Sequence, residues 1–223
     1  MLRATLQPHS IRAWEGLRDP SPWKLRVDLG PVGRCADTPD LTLLAFDGSG
    51  SIAASGGKDP VGNRYEEARI PLERLRRCRC GACLAGLVHF DYPAGYIAPG
   101  TLADREFQRT LQAGLRDPLD GMGVSLIGPS LTKATELAAA HPDHAARLVV
   151  FSDWELFDSF DYTARLLRFP GEVLAVGLGC TPPLSLKSES VTTLRIDHGD
   201  PPGATARALF GALVSNRPGA TAH

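Results

Sequence analysis

The chain has 223 residues, 43% hydrophobic and 22% charged, with a net charge of −1 and an isoelectric point near 6.6. The length lies between one and two domains of about 150 residues each, and the composition is that of a globular protein able to bury roughly 70% of its unfolded surface. The near-neutral balance excludes the basic footprint of a nucleic-acid binder or of a protein held on an anionic membrane. No stretch approaches the roughly 20 apolar residues of a membrane span, and the first eight residues lack the apolar core of a signal peptide. Five cysteines without a secretion signal read as reduced thiols of a cytoplasmic protein.

Residues 1–39 read as an N-terminal extension broken into turns by Pro20, Pro22, Pro31 and Pro39, with one alternating segment, Trp23–Leu29, patterned as a half-exposed strand. Leu41–Phe46 is an unbroken apolar run, the pattern of a strand buried on both faces, and Asp47-Gly48-Ser49-Gly50-Ser51 follows at its carboxyl end. A glycine-bearing loop, 53–63, leads to a helix over 64–77 with Tyr65, Ala68, Leu72 and Leu75 on one side. Pro71 is expected to kink or split that helix. Residues 84–90 form a second strand and 95–98 a short edge strand. Thr101-Leu102-Ala103-Asp104 has the look of a capping box for a helix reaching Leu115.

After a loop at 117–123, Ile127-Gly128-Pro129-Ser130-Leu131-Thr132 opens a helix over 134–140. A buried strand over 147–152 ends in Ser152-Asp153. A helix over 156–169, strands over 172–178 and 191–196, and an amphipathic helix over 204–215 complete the pattern. Alternating strands and helices predict βαβ units, hence an α/β fold with a doubly wound, mostly parallel central sheet and helices on both faces. Residues 40–217 read as one domain, and 218–223 as a disordered tail.

The chemistry gathers at the strand ends. Asp47, Ser49 and Ser51 bring three hard oxygens onto one short turn, which the glycines let curl tightly. Such oxygens suit a small divalent cation; a turn that merely caps the next helix is the plainer alternative. Asp47 is expected to stand at the strand tip, outside the core. A hydroxyl from Ser130 or the nearby Thr132, and the carboxylate of Asp153, follow on two later loops. In an open parallel sheet this carboxyl edge is where ligands bind.

This order resembles the von Willebrand factor A-type domain, whose metal-ion-dependent adhesion site uses an Asp-x-Ser-x-Ser loop, a later Thr loop and a later Asp loop. The resemblance covers about residues 40–215. The first motif is complete. The second departs from the usual Gly-Gly-Thr, reading Gly128-Pro129-Ser130, and the third departs from Thr-Asp-Gly, reading Ser152-Asp153-Trp154. The resemblance implies a Rossmann-like fold and a site of Asp47, Ser49, Ser51, Ser130 and Asp153 holding Mg²⁺ or Mn²⁺. It further implies an adaptor that binds an Asp or Glu carboxylate of a protein partner. An AAA-type ATPase or its associated complex is the partner suggested by intracellular bacterial members. A scaffold that keeps the fold without using the metal is the alternative; a metal-dependent hydrolase is the third reading.

Other chemistries fit less well. Phe46-Asp47-Gly48-Ser49 has Ala45 where a haloacid-dehalogenase phosphatase would carry its nucleophile. Neither Ser49 nor Ser125 sits in a Gly-x-Ser-x-Gly elbow, and no phosphate-binding loop is present. Cys78, Cys80 and Cys83 could supply most of a zinc site, with Cys35 or a histidine as fourth ligand. A second Cys-x-x-Cys pair is missing, so reduced thiols at a helix–strand junction are expected. In Trp154–Asp161, Leu156, Phe157 and Phe160 are expected to face the core at helical spacing, whereas Trp154 is open to a role in gripping a partner.

Overall fold

The computed structural model describes residues 27–53, 57–59, 64–75, 81–90, 92–116, 124–158 and 161–221. Its strands are β1 (Asp40–Phe46), β2 (Leu84–His89), β3 (Tyr92–Thr101), β4 (Ala145–Ser152), β5 (Glu172–Leu178) and β6 (Val191–Ile196). The helices are α1 (Gly50–Ala53), α2 (Arg64–Leu75), α3 (Arg105–Gly114), α4 (Gly128–Ala139), α5 (Asp161–Leu167) and α6 (Ala204–Val214). The strands form one sheet in the order β3-β2-β1-β4-β5-β6. Only β2 and β3 pair antiparallel; the other neighbours are parallel. The α/β sheet expected from the sequence is therefore present, and its order reverses between β1 and β4, the switch point at which such sheets bind ligands.

Alternation within the central strands builds two cores. Leu44 and Phe46 of β1, Val149 and Phe151 of β4, and Val176 and Leu178 of β5 pack under α2, α3 and α6. Leu41, Leu43 and Ala45, Leu148 and Val150, and Val173 and Ala175 pack under α4 and α5. Residues buried on both sides of a strand are what an uninterrupted apolar run requires, and helices must then cover both faces. At the edge, β6 leaves Thr192, Thr193, Leu194 and Arg195 exposed.

Several boundaries differ from expectation for identifiable reasons. The helix carrying Pro71 runs unbroken from Arg64 to Leu75; burial of Ala68, Leu72 and Leu75 outweighs the missing N–H. The edge strand is ten residues long. The expected capping box is replaced by Asp104 itself as the cap, accepting from the Glu106 N–H, and the helix starts after it. Residues 27–29 form no strand, although Leu29 is buried in the core; positions 23–26 lie outside the described residues. The expected disordered tail does not begin at 218: Arg34 donates its N–H to the Pro218 carbonyl at 2.9 Å, and Val32 bridges Ala220.

The largest shift concerns α4 and α5. The first begins at Gly128, six residues earlier than the expected start, with Pro129 in its opening turn. The second begins only at Asp161. Both follow from Asp158, whose carboxylate accepts the backbone N–H groups of Ile127 and, at 3.1 Å, Gly128. The acid that was expected to lie inside the second helix instead caps the first. A Cβ on Gly128 would stand 2.8 Å from that carboxylate, so a larger residue there would push the cap aside.

Candidate metal centre

Strand register places the site. Phe46 pairs with His89 of β2 on one side and with Phe151 of β4 on the other, so three chain ends lie level at the carboxyl edge. The Asp47 N–H continues the ladder to the Phe151 carbonyl at 2.9 Å, and the Phe90 N–H reaches the Phe46 carbonyl at 3.0 Å. Beneath them the Phe46 and Phe151 rings stack with centroids 4.8 Å apart, giving the site an apolar floor.

Contrary to expectation, Asp47 is not an exposed strand tip but fully buried. Its Oδ1 accepts the Ser49 N–H at 2.9 Å and its Oδ2 accepts the Ser152 hydroxyl at 2.7 Å. The Asx turn to Ser49 is the short side-chain-to-backbone bond that Asp makes in turns. It brings Ser49 Oγ to within 3.0 Å of the exposed Ser51 Oγ. Burial raises the Asp47 carboxyl above its ordinary range against the pull of the Ser152 and Ser49 hydrogen bonds, and the negative charge of Asp153 adds to the rise.

Asp153 is buried as well. Its Oδ1 accepts the Glu155 N–H at 3.1 Å, whereas its Oδ2 is buried with no hydrogen-bond donor. Ser130, also buried, donates its hydroxyl to the His89 carbonyl at 2.8 Å, which fixes it beside the end of β2. Thr132 is committed elsewhere: it donates to the Gly128 carbonyl at 3.2 Å and accepts from Arg165 on α5. Of the two hydroxyls left open by the sequence, Ser130 is the one at the sheet edge.

Trp154 occupies a position where the family motif has glycine, and its backbone keeps the conformation glycine would favour, with φ of 59°. The side chain is buried, not displayed to a partner, and its indole N–H donates to the Val176 carbonyl at 3.2 Å. Phe157, expected in the core, is 76% exposed. Leu156 packs against the core below α4 and α5, and Phe160 lies outside the described residues.

Sequence reasoning missed Lys58, Glu155 and Cys180. The Lys58 ammonium stands 3.8 Å from Asp153 Oδ2 and pairs directly with Glu155, which raises the lysine above its ordinary value. Gly179, just beyond β5, has φ of +66°, and a Cβ there would lie 3.0 Å from the Lys58 carbonyl. The Cys180 thiol donates to the Asp153 carbonyl at 3.0 Å. Burial, followed by the charge of Asp153, pushes that thiol up to about 11. Cys78 and Cys80 lie outside the described residues; Cys83 is buried just before β2.

The donor set is oxygen only, and two buried carboxylates share it with one ammonium. An orphaned carboxylate oxygen and two adjacent hydroxyls fit a hard divalent ion. Among the described residues no three His, Cys, Asp or Glu side chains converge on one point, so a cation here depends on the serine hydroxyls.

No family model matches the chain, and no curated protein matches it in sequence. Solved structures do. One is the proximal thread matrix protein 1 of mussel byssus with a zinc-occupied MIDAS motif: TM-score 0.54, 15% identity, covering 82% of this chain and 49% of that one. Another is BatB from Bacteroides thetaiotaomicron: TM-score 0.52, 15% identity, 79% and 98%. A looser likeness to the pilus adhesin SpaC from Lactobacillus rhamnosus GG, with a TM-score of 0.46 and 18% identity, covers 54% of this chain and 16% of that one. The chain thus spans well under two thirds of the adhesin and of the mussel protein. At these identities the likeness is one of fold. No described helix is long and apolar enough to cross a membrane.

Proposed function

We propose that this chain, which has the von Willebrand factor A-type fold, is a metal-dependent protein-binding module, an adaptor rather than an enzyme. The observation that carries the reading is the level placement of Asp47, Ser130 and Asp153 at the ends of β1, β2 and β4, with the Ser49 and Ser51 hydroxyls 3.0 Å apart on the same edge. Asp47, Ser49, Ser51, Ser130 and Asp153 would hold Mg²⁺ or Mn²⁺. The mussel protein of similar fold, with its zinc-occupied MIDAS motif, supports a divalent ion at this place.

Each residue has its own part. Ser51 is exposed and the buried Ser49 hydroxyl lies 3.0 Å from it, so the pair offers two hard oxygens at the rim. Asp47 sits beneath them, held by two hydrogen bonds, and supplies charge. Ser130 has its proton on the His89 carbonyl, so its lone pairs remain available. A bound divalent cation would offer an open coordination position to an Asp or Glu carboxylate of the partner. Phe157, exposed beside this rim, gives an aromatic contact of the kind that anchors interfaces. The partner is a protein presenting an acid, with an AAA-type ATPase or its complex as the proposed source.

Titration calorimetry with Mn²⁺ tests the ion, and partner capture in Mg²⁺ against EDTA tests recognition. One Mn²⁺ per chain, lost in Asp47→Asn, is the expected result. A second reading, a scaffold that uses no metal, draws on the Lys58 ammonium beside Asp153. A partner that binds equally well in EDTA would decide for the scaffold.

A further inference from the structure

We propose that Lys58 is a tethered cation that competes with the divalent ion for Asp153 and so sets the metal affinity of the site; this rests on the metal-binding reading above. The geometry has three parts. First, the backbone around Lys58 is fixed to the site and not merely near it. Its N–H donates to the Ser51 carbonyl at 2.8 Å, tying it to the first motif loop. Its carbonyl lies over Gly179, which keeps φ of +66° and would bring a Cβ to 3.0 Å of that oxygen.

Second, the ammonium has two carboxylates of opposite character within reach. Asp153 Oδ2 is buried, lacks a hydrogen-bond donor and lies 3.8 Å away. Glu155 contacts the ammonium directly and has a side chain 65% exposed. A small rotation of the flexible lysine stem moves the charge inward to Asp153 or outward to Glu155. The inward position serves the one carboxylate oxygen of Asp153 that has no hydrogen-bond donor; the outward one vacates the oxygen a cation needs.

Third, the charge balance requires such a group. Asp47, Asp153 and Glu155 carry three formal negative charges, and the burial of the first two makes their mutual repulsion hard to screen. One ammonium leaves the cluster short of neutral, so a divalent ion is still attracted. It binds against a competitor held within 4 Å, a distance at which a unit charge can change cation affinity by about an order of magnitude.

The test compares Mn²⁺ binding and metal-free melting of the full chain as wild type, Lys58→Met, Glu155→Gln and the double variant. Lys58→Met is expected to bind Mn²⁺ at least about tenfold more tightly and, in EDTA, to melt at a lower temperature that Mn²⁺ restores. Glu155→Gln is expected to weaken binding by removing the outer resting place, and to do so much less once Lys58 is gone. Lys58→Gln, which keeps a polar stem, serves as the second variant if Lys58→Met fails to fold. Equal Mn²⁺ affinity in wild type and both lysine variants would overturn the proposal while leaving the metal site standing. No Mn²⁺ binding by any of the proteins would overturn both. Binding only after Lys58 is removed would support the competition and would instead count against the natural chain as a metal-dependent adaptor.

Discussion

The Ser152 hydroxyl donates to Asp47 Oδ2 at 2.7 Å while its oxygen accepts the Trp154 N–H at 2.9 Å, so one buried side chain ties the first motif to the third. Ser152→Ala removes both bonds at once and leaves a buried carboxylate oxygen and a buried N–H without partners. The expected loss is about 1–3 kcal/mol, read from urea denaturation in EDTA. A variant as stable as wild type would show that water can take over this bridge.

Asp47 gives a pH dependence with a definite sign. Its carboxyl is raised above the ordinary value of 3.8, chiefly by burial, so the folded chain holds that proton more firmly than the unfolded chain. The resulting stabilisation is present below the unfolded value and is lost as pH rises through the folded one. Without metal, ionised Asp47 therefore opposes folding at neutral pH. Asp47→Asn in EDTA is expected to be more stable than wild type at pH 7, with the advantage shrinking towards pH 4. Urea midpoints at the two pH values give the comparison, and a variant that is weaker at pH 7 would contradict the burial argument.

Phe157 and Trp154 should separate binding from folding. Phe157→Ser, at a position 76% exposed, is expected to change stability by less than about 0.5 kcal/mol yet to weaken partner capture by about 1 kcal/mol or more. Trp154→Ala should cost about 3–5 kcal/mol of stability from the emptied core. Trp154→Gly recovers only about 1 kcal/mol of this by freeing the left-handed backbone. Chemical denaturation and partner titration on the same proteins would show whether the two aromatic residues divide in this way.

Asp158→Ala tests the cap that one loop supplies to another helix. The opening N–H groups of α4 lose their acceptor, and the expected loss is about 1 kcal/mol. Because Ser130 lies in that first turn, hydrogen exchange at residues 128–132 should quicken more than at β4. Uniform protection across both would show that Pro129 and packing hold the turn without Asp158.

Much of the fold could be read from residue pattern because the central strands are apolar on both faces and the helices between them keep one apolar side. Strands 172–178 and 191–196 match to the residue. What escaped were boundaries set by distant partners. Asp158 reads locally as part of a helix, and only contact with Ile127 and Gly128 draws it away. Phe157 then faces solvent because residues 153–158 never enter a helical period. The first motif was visible as a spacing, but its burial was not, since a charged residue after a strand ordinarily reads as surface. Lys58 had no signal at all: a lone lysine among glycines reaches Asp153, 95 positions later, only through the parallel pairing of β1 with β4.

The buried indole of Trp154 also makes the site optically legible. It is one of three tryptophans, and it alone lies between the acids at 153 and 155; the others, Trp14 and Trp23, fall in the first 26 residues. Replacing those two with phenylalanine would leave a single tryptophan locked beside Asp153, excited selectively over the tyrosines at long wavelength. Paramagnetic Mn²⁺ at the neighbouring carboxylate would dim it and diamagnetic Mg²⁺ would not, so occupancy could be followed by light alone, without a label and before any partner is known.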